Sequence, residues 1–343
     1  MEELINTVVY AGYLKDQTVL VKSSFGGAFF VLSEYFLDEG NAVVATVYNY
    51  DKQLAEFQLI LSKGNRDRAM GSKYMQNKPG KIFQDSYQWL IDNPQKKLLF
   101  VGMGCQADAF RRFCELKGLR ERVRIVDIVC HGVPSPRRLW NEYAMALQKK
   151  YNGCITYLTF KDKRNGWMAP SAYVKINKRE YFIRDYVKVF YNCCALRPSC
   201  YECLFAKIER KTDITIGNFG GIDKAMPDYY NEKGNSLFLI HTNHGKILFE
   251  KIKNGLNYKE SNEKQCWQPN LESPTKKSEF RDVFWKDYHR EGIRYIMKKY
   301  GIVPLRTKVK NKLLKVMGGG TQKVTSIMLI TPKGGQHNEL EAA

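Results

Sequence analysis

The chain has 343 residues, 44% of them hydrophobic and 13% aromatic, which is enough for a packed core and excludes a disordered chain. Its formal charge is +20, from 55 Lys+Arg against 35 Asp+Glu, and it carries nine cysteines. No apolar leader follows Met1 and no run reaches the roughly 18 apolar residues of a membrane span. The expectation is therefore a soluble cytoplasmic protein. Its thiols stay reduced and serve metal ligation, redox chemistry or packing rather than disulfides.

In chain order, residues 19–22 read as extended and lead through Ser23-Ser24-Phe25-Gly26-Gly27 into a helix over 28–38. Residues 42–50 and 54–61 alternate as a hairpin across Asn49-Tyr50-Asp51-Lys52. A polar loop carries Gly71-Ser72-Lys73-Tyr74, and a helix is expected near 82–91. An apolar strand at 98–101 breaks at Gly102-Met103-Gly104-Cys105, then a helix over 107–116 and a strand over 123–129 follow. Strand, turn, helix and strand in that order require parallel pairing.

Ser135-Pro136 starts a helix whose Leu139, Tyr143 and Leu147 form one apolar stripe. Strands at 155–161, 172–177 and 180–183 precede the cysteine-bearing segment 193–203. A strand at 213–217, a strand at 236–241 and a helix at 245–253 complete the pattern. The expected fold is α/β, a mixed, partly parallel sheet with flanking helices. Residues 1–260 form the core, and 261–343 form a basic, mostly helical C-terminal appendage. Helical pieces are expected at 278–300 and 306–316, then a Gly318-Gly319-Gly320 breaker and a polar tail from Thr321.

Four cysteines stand where ligands gather. Cys200 and Cys203 form a CxxC in a loop, while Cys105 and Cys130 lie just past two strands that read as parallel neighbours. Ligands of such sheets collect at the carboxyl ends of strands, so the four thiolates can share one crevice. A [4Fe–4S] cluster and structural zinc both take four thiolates. Single cysteines at strand ends beside glycines favour iron–sulfur, with Cys193 and Cys194 as alternative ligands. Cys114, Cys154 and Cys266 read as packing or surface residues. His131, directly after Cys130, can donate to a cluster sulfur or a flavin, or cap a turn.

Ser23-Ser24-Phe25-Gly26-Gly27 at a helix start has the parts of an anion or pyrophosphate site, and equally of an ordinary cap. Lys73 can meet phosphate or a flavin ring, and Tyr74 can stack on it. The sequence contains neither GxGxxG nor GxxxxGK[ST], and neither HExxH nor GxSxG. Nicotinamide-domain dehydrogenases, P-loop enzymes and the commonest hydrolases are thereby disfavoured. Residues 276–315 hold 13 Lys/Arg against 4 Asp/Glu. This basic segment is either a solvated face or a dock for an acidic partner, and no zinc-finger, RNA-recognition or helix-turn-helix signature points to nucleic acid.

Six segments in order carry a resemblance: 23–27, 71–74, Gly102-Met103-Gly104-Cys105-Gln106, Asp127-Ile128-Val129-Cys130-His131-Gly132-Val133-Pro134-Ser135-Pro136, Arg197-Pro198-Ser199-Cys200-Tyr201-Glu202-Cys203, and 213–221. Over roughly residues 7–255 the chain resembles the coenzyme F420 hydrogenase/dehydrogenase beta-subunit family. The resemblance implies an FAD and iron–sulfur oxidoreductase passing electrons between a ferredoxin-like carrier and an organic acceptor. It places FAD near Ser23, Ser24, Gly26, Gly27, Lys73 and Tyr74, and the cluster on Cys105, Cys130, Cys200 and Cys203. His131 and Lys73 are the candidate catalytic residues.

Three positions depart from the family pattern. Met103 and Gly104 replace Thr-Pro, Phe25 replaces a serine, and Asn218-Phe219-Gly220-Gly221 replaces Asp-Phe-Trp-Gly. The tandem ferredoxin cysteines of many members are not seen at the N-terminus, which implies that an acidic electron carrier docks on the basic surface. Bacterial members of the family are similar to auxiliary redox proteins of cell-surface polysaccharide synthesis. Two other readings stay open, a non-catalytic scaffold with a Zn(Cys)4 site and a glycan-modifying enzyme using a nucleotide sugar.

Overall fold

A computed structural model of the chain describes residues 4–167 and 171–301, which fall in one unit, Met1–Gly301. The helical piece expected at 306–316, the glycine breaker and the polar tail lie outside the described residues.

The chain opens with strand β1 (Leu4–Leu14), helix α1 (Gln17–Lys22) and helix α2 (Ala28–Asp38). The extended segment expected at 19–22 is thus helical. Asp16 decides it, because its Oδ1 accepts from Thr18 N at 2.8 Å and Val19 N at 3.3 Å and so caps a helix start. The hairpin of β2 (Ala42–Asn49) and β3 (Leu54–Ile60) follows, then α3 (Lys63–Asp67) and α4 (Ile82–Asp92). Next come β4 (Leu98–Met103), α5 (Gly104–Leu116) and β5 (Val123–Ile128).

A π-helical turn (Pro136–Asn141) leads into α6 (Glu142–Tyr151). Then come β6 (Ile155–Asp162), β7 (Ser171–Ile176), β8 (Arg179–Phe182) and α7 (Arg184–Tyr191). The last elements are β9 (Ile214–Asn218), α8 (Ile222–Ala225), β10 (Ser236–Thr242), α9 (Asn243–Ile252), β11 (Leu256–Ser261) and α10 (Arg281–Tyr300).

Eight strands form one mixed sheet in the order β11-β1-β10-β9-β5-β4-β2-β3. The pairs β2/β4, β4/β5 and β5/β9 are parallel, and the pairs on either side of them are antiparallel. Helices cover both faces. On one, Leu32 and Phe36 of α2 and Phe249 of α9 pack on Val43, Leu99, Val126 and Phe238. On the other, α4 and α5 bring Leu90 and Phe110 onto Val44, Phe100 and Ile125. Coverage on both sides explains why these strands are continuous apolar runs, with all seven residues of β10 buried.

The three-stranded antiparallel sheet β6-β7-β8 packs with α6, α7 and α10 around a second core of Trp140, Phe160, Tyr186, Phe284 and Tyr288. Trp140 Nε1 donates to Tyr48 Oη at 2.9 Å and ties this core to the end of β2. Among the described residues no helix is long and apolar enough to cross a membrane. The parallel strands β4 and β5 end side by side, at the Met103 and Ile128 pair, and open toward the segment 193–210.

Candidate functional site

Helix α5 begins at the residue after β4, so its first turn carries Cys105 at an exposed rim. Cys130 lies just beyond β5 and is half-buried, with Gly132 N donating to its Sγ at 3.3 Å. Gly132 holds φ +111°, and a Cβ there would meet Leu196 Cδ1 at 2.9 Å and Cys200 Cβ at 3.1 Å. Only glycine therefore lets the CxxC loop press against the end of β5. Cys200 closes a 3-10 turn (Pro198–Cys200), and Cys203 follows, also half-buried.

The four thiols act on one another. Burial pushes the Cys130 thiol up to about 12, the Gly132 bond pulls it back, and Cys200, Cys105 and Cys203 add to the rise. Cys105 is raised by burial, then by Cys203 and Cys200. Gathered thiols resist losing protons until a cation sits among them, at which point the sign of the effect reverses. Among the described residues no three of these or other ligating side chains converge on the point of a single metal ion. A tetrahedral zinc site needs sulfurs roughly 3.8 Å apart.

His131 leads away from the thiols into an aromatic layer. Its Nε2 lies 3.5 Å from Cys193 Sγ, and its Nδ1 lies 3.4 Å from Thr275 Oγ1. Burial lowers its pKa, so the ring is neutral at neutral pH. The rings of Phe190 and Tyr191 stand 5.5 and 5.2 Å from it. Cys193 itself sits at φ +61°, with Tyr201 Oη donating to its carbonyl at 2.5 Å. It faces His131, whereas Cys194 Sγ lies 3.3 Å from Ser278 Oγ. Cys114 and Cys266 are buried in apolar clusters, and Cys154 is exposed.

The loop before α2 is tightly fixed. Gly26 N and Ala28 N both donate to Ser236 Oγ, at 3.0 and 3.3 Å, and Gly27 caps α2 at φ +84°. Ser23 turns its hydroxyl back to Val19 O at 2.9 Å, while Ser24 Oγ lies 3.1 Å from Ser72 Oγ. Lys73 and Tyr74 make internal contacts. Lys73 Nζ donates to the carbonyls of Ala69, Met70 and Gly71 at 2.7, 3.0 and 3.1 Å. Tyr74 stacks on Phe190 at 4.8 Å and accepts from Tyr191 Oη at 2.9 Å.

Two lysines absent from the sequence reading complete this side. Lys163 Nζ donates to Leu20 O at 2.8 Å and Phe25 O at 2.5 Å. Lys161 Nζ stands 5.2 Å from the Phe25 ring centre and 5.8 Å from that of Tyr74. Burial pulls Lys73 and Lys163 down to about 7 and lowers Lys161 as well. Alternating Lys161-Asp162-Lys163 at a strand end reads in sequence as a solvated face. Only the fold turns it toward residues 23–27.

Residues 95–265 match the family described as the C terminus of the beta subunit of coenzyme F420 hydrogenase/dehydrogenase. The chain belongs to this beta-subunit family. The matched region holds all four gathered thiols and His131, and the 23–27 loop precedes it. The family is named for hydrogenase and dehydrogenase subunits, which are oxidoreductases. A chain of the F420-reducing [NiFe] hydrogenase complex from Methanosarcina barkeri, solved with xenon, shares the fold. Its TM-score is 0.51 over 93% of this chain and 94% of that one, at 15% identity. No curated protein matches this sequence.

Proposed function

We propose that this chain is an FAD and iron–sulfur oxidoreductase that relays electrons between a ferredoxin-like acidic carrier and an organic acceptor in the cytoplasm. The observation that carries the reading is the meeting of Cys105, Cys130, Cys200 and Cys203 at the carboxyl ends of two parallel strands. A [4Fe–4S] cluster and a structural zinc both take four thiolates, and the hydrogenase and dehydrogenase subunits of the family favour the redox group. The 23–27 loop and Ser72 offer hydroxyls and a helix start for FAD, with Lys73 and Tyr74 packed beside them. His131 stands between the two regions, beside Cys130 and against Tyr191. A bound cluster would supply one-electron transfer and a bound flavin two-electron transfer. The chain's own part is to hold and insulate them.

Anaerobically purified protein is expected to be brown, to contain iron and acid-labile sulfide, and to release flavin on denaturation. Colourless protein with stoichiometric zinc would overturn the cluster, and absence of released flavin would overturn the FAD assignment. Cys203→Ser should lose most of the iron, while Cys266→Ser, in a separate apolar cluster, should keep it. Equal iron in both variants would refute the ligand set.

A further inference from the structure

Among the lysines around the 23–27 loop, Lys73 and Lys163 direct their ammonium groups onto backbone carbonyls. Lys161 differs. Among the described residues its ammonium meets no carboxylate and no carbonyl; it lies by the faces of Phe25 and Tyr74, with the Tyr191 hydroxyl nearby. The adjacent Asp162 is bound to Arg164, with Oδ1 2.7 Å from Nε, and does not neutralise it. A half-buried ammonium whose described neighbours are aromatic side chains gains most from an anion that completes it.

The surroundings suit phosphate. Ser24 and Ser72, the hydroxyls in mutual contact, lie one and two residues in sequence from the two ring residues that hold Lys161. Phe25 and Gly27 both take positive φ, at +50° and +84°, in the turn that opens the eleven-residue helix α2. Gly26 N, Gly27 N and Ala28 N are bonded within the protein, so what this turn offers an anion is the positive dipole end of the helix that follows it.

We propose that Lys161 is the phosphate-binding cation of this site and pairs with the phosphate of a bound flavin nucleotide. The proposal rests on the flavin reading above and assigns a residue to it. The phosphate, rather than the ring system, is its partner because the neighbouring donors are hydroxyls and a helix start.

The test uses the full chain stripped of flavin, titrated with FAD, FMN, riboflavin and inorganic pyrophosphate by calorimetry. Lys161→Gln should weaken FAD and FMN by roughly 10- to 100-fold and leave riboflavin unchanged. Lys161→Arg should restore most of the loss, and the exposed control Lys286→Gln should change nothing. Equal weakening of riboflavin, or unchanged FAD affinity, overturns the assignment. If the wild type binds no flavin, the flavin reading fails and pyrophosphate decides the anion site alone. Binding by wild type but not by Lys161→Gln upholds Lys161, and no binding by wild type overturns it. Thermal unfolding of the stripped protein separates misfolding from ligand loss. Lys161 is half-buried and has no ion pair among the described residues, so the midpoint of Lys161→Gln should stay close to that of wild type, and a much lower midpoint contradicts the proposal.

Discussion

Arg210 lies beyond the CxxC block and reaches back to the end of β5, where its Nη1 is 2.7 Å from Asp127 Oδ2. Asp127 also accepts from Thr215 Oγ1 at 2.5 Å, and its Oδ2 lies 3.1 Å from where a Cβ on Gly104 would sit. The pair thus ties the cysteine loop to the turn that carries Cys105. Both side chains are almost wholly buried, so removing one partner strands the other's charge. Arg210→Met should cost about 3–5 kcal/mol in urea unfolding and lower the iron content. Adding Asp127→Leu should recover part of the stability, and a neutral single variant would contradict the tether.

His241 continues the same network, with Nε2 2.9 Å from Thr215 Oγ1 and Nδ1 3.0 Å from Thr7 Oγ1. Burial, then the Arg210 charge, drives its pKa down to about 3. Unfolded histidine titrates near about 6.5, so below that pH the unfolded chain takes up a proton that the folded chain refuses. Stability should fall as pH drops from about 6.5 toward 3, less steeply in His241→Gln, with unfolding midpoints across that range as the check. The nearness of Cys105, Cys130, Cys200 and Cys203 was legible in sequence, because the ends of neighbouring parallel strands bring their residues together. Asp127, Arg210 and Lys161 were not, since each gains its role from a partner distant in sequence.

At the scale of elements, the parallel heart of the sheet was readable from apolar runs alternating with helix patterns. The hairpin of β2 and β3 and the strands of the small sheet were equally plain. Strands β1 and β11 escaped notice for different reasons. Gly12 interrupts β1, and β11 is mostly polar and forms a sheet edge. Helix α1 was hidden by Thr18, Val19 and Val21, whose strand preference a single aspartate cap overrides. The 23–27 loop is held by close backbone packing. A Cβ on Gly26 would lie 2.2 Å from Gly12 O and 2.4 Å from Ser236 N. Gly26→Ala should therefore destabilise by at least about 1–3 kcal/mol, read by urea unfolding. An unchanged midpoint would show that the loop can move away from β1 and β10.

Over the whole molecule, the charge of +20 exceeds what local ion pairs absorb, and Lys276, Lys277, Lys286, Arg290, Arg294, Lys298 and Lys299 lie at or near α10. If this surface docks an acidic carrier, affinity for a ferredoxin should fall by roughly tenfold or more between 0.05 and 0.5 M salt. Titration at both salt levels checks this, and salt-independent affinity would place the dock elsewhere. The order of strands in the sheet was beyond sequence reasoning, because it depends on crossovers that local periodicity does not encode.

That order has a consequence for how the protein is made. Strand β1 leaves the ribosome well before its hydrogen-bonding neighbours β10 and β11, which lie near the end of the described chain. Until they emerge, an eleven-residue strand with an alternating buried face has no partner. Long-range pairing of this kind folds slowly and exposes nascent chains to aggregation. The segment bearing Cys200 and Cys203 is translated before that closure, so these thiols emerge ahead of the finished sheet. Thiol exposure and sheet closure then overlap in time, so the nascent chain presents reactive sulfur while its edge strand is still unpaired.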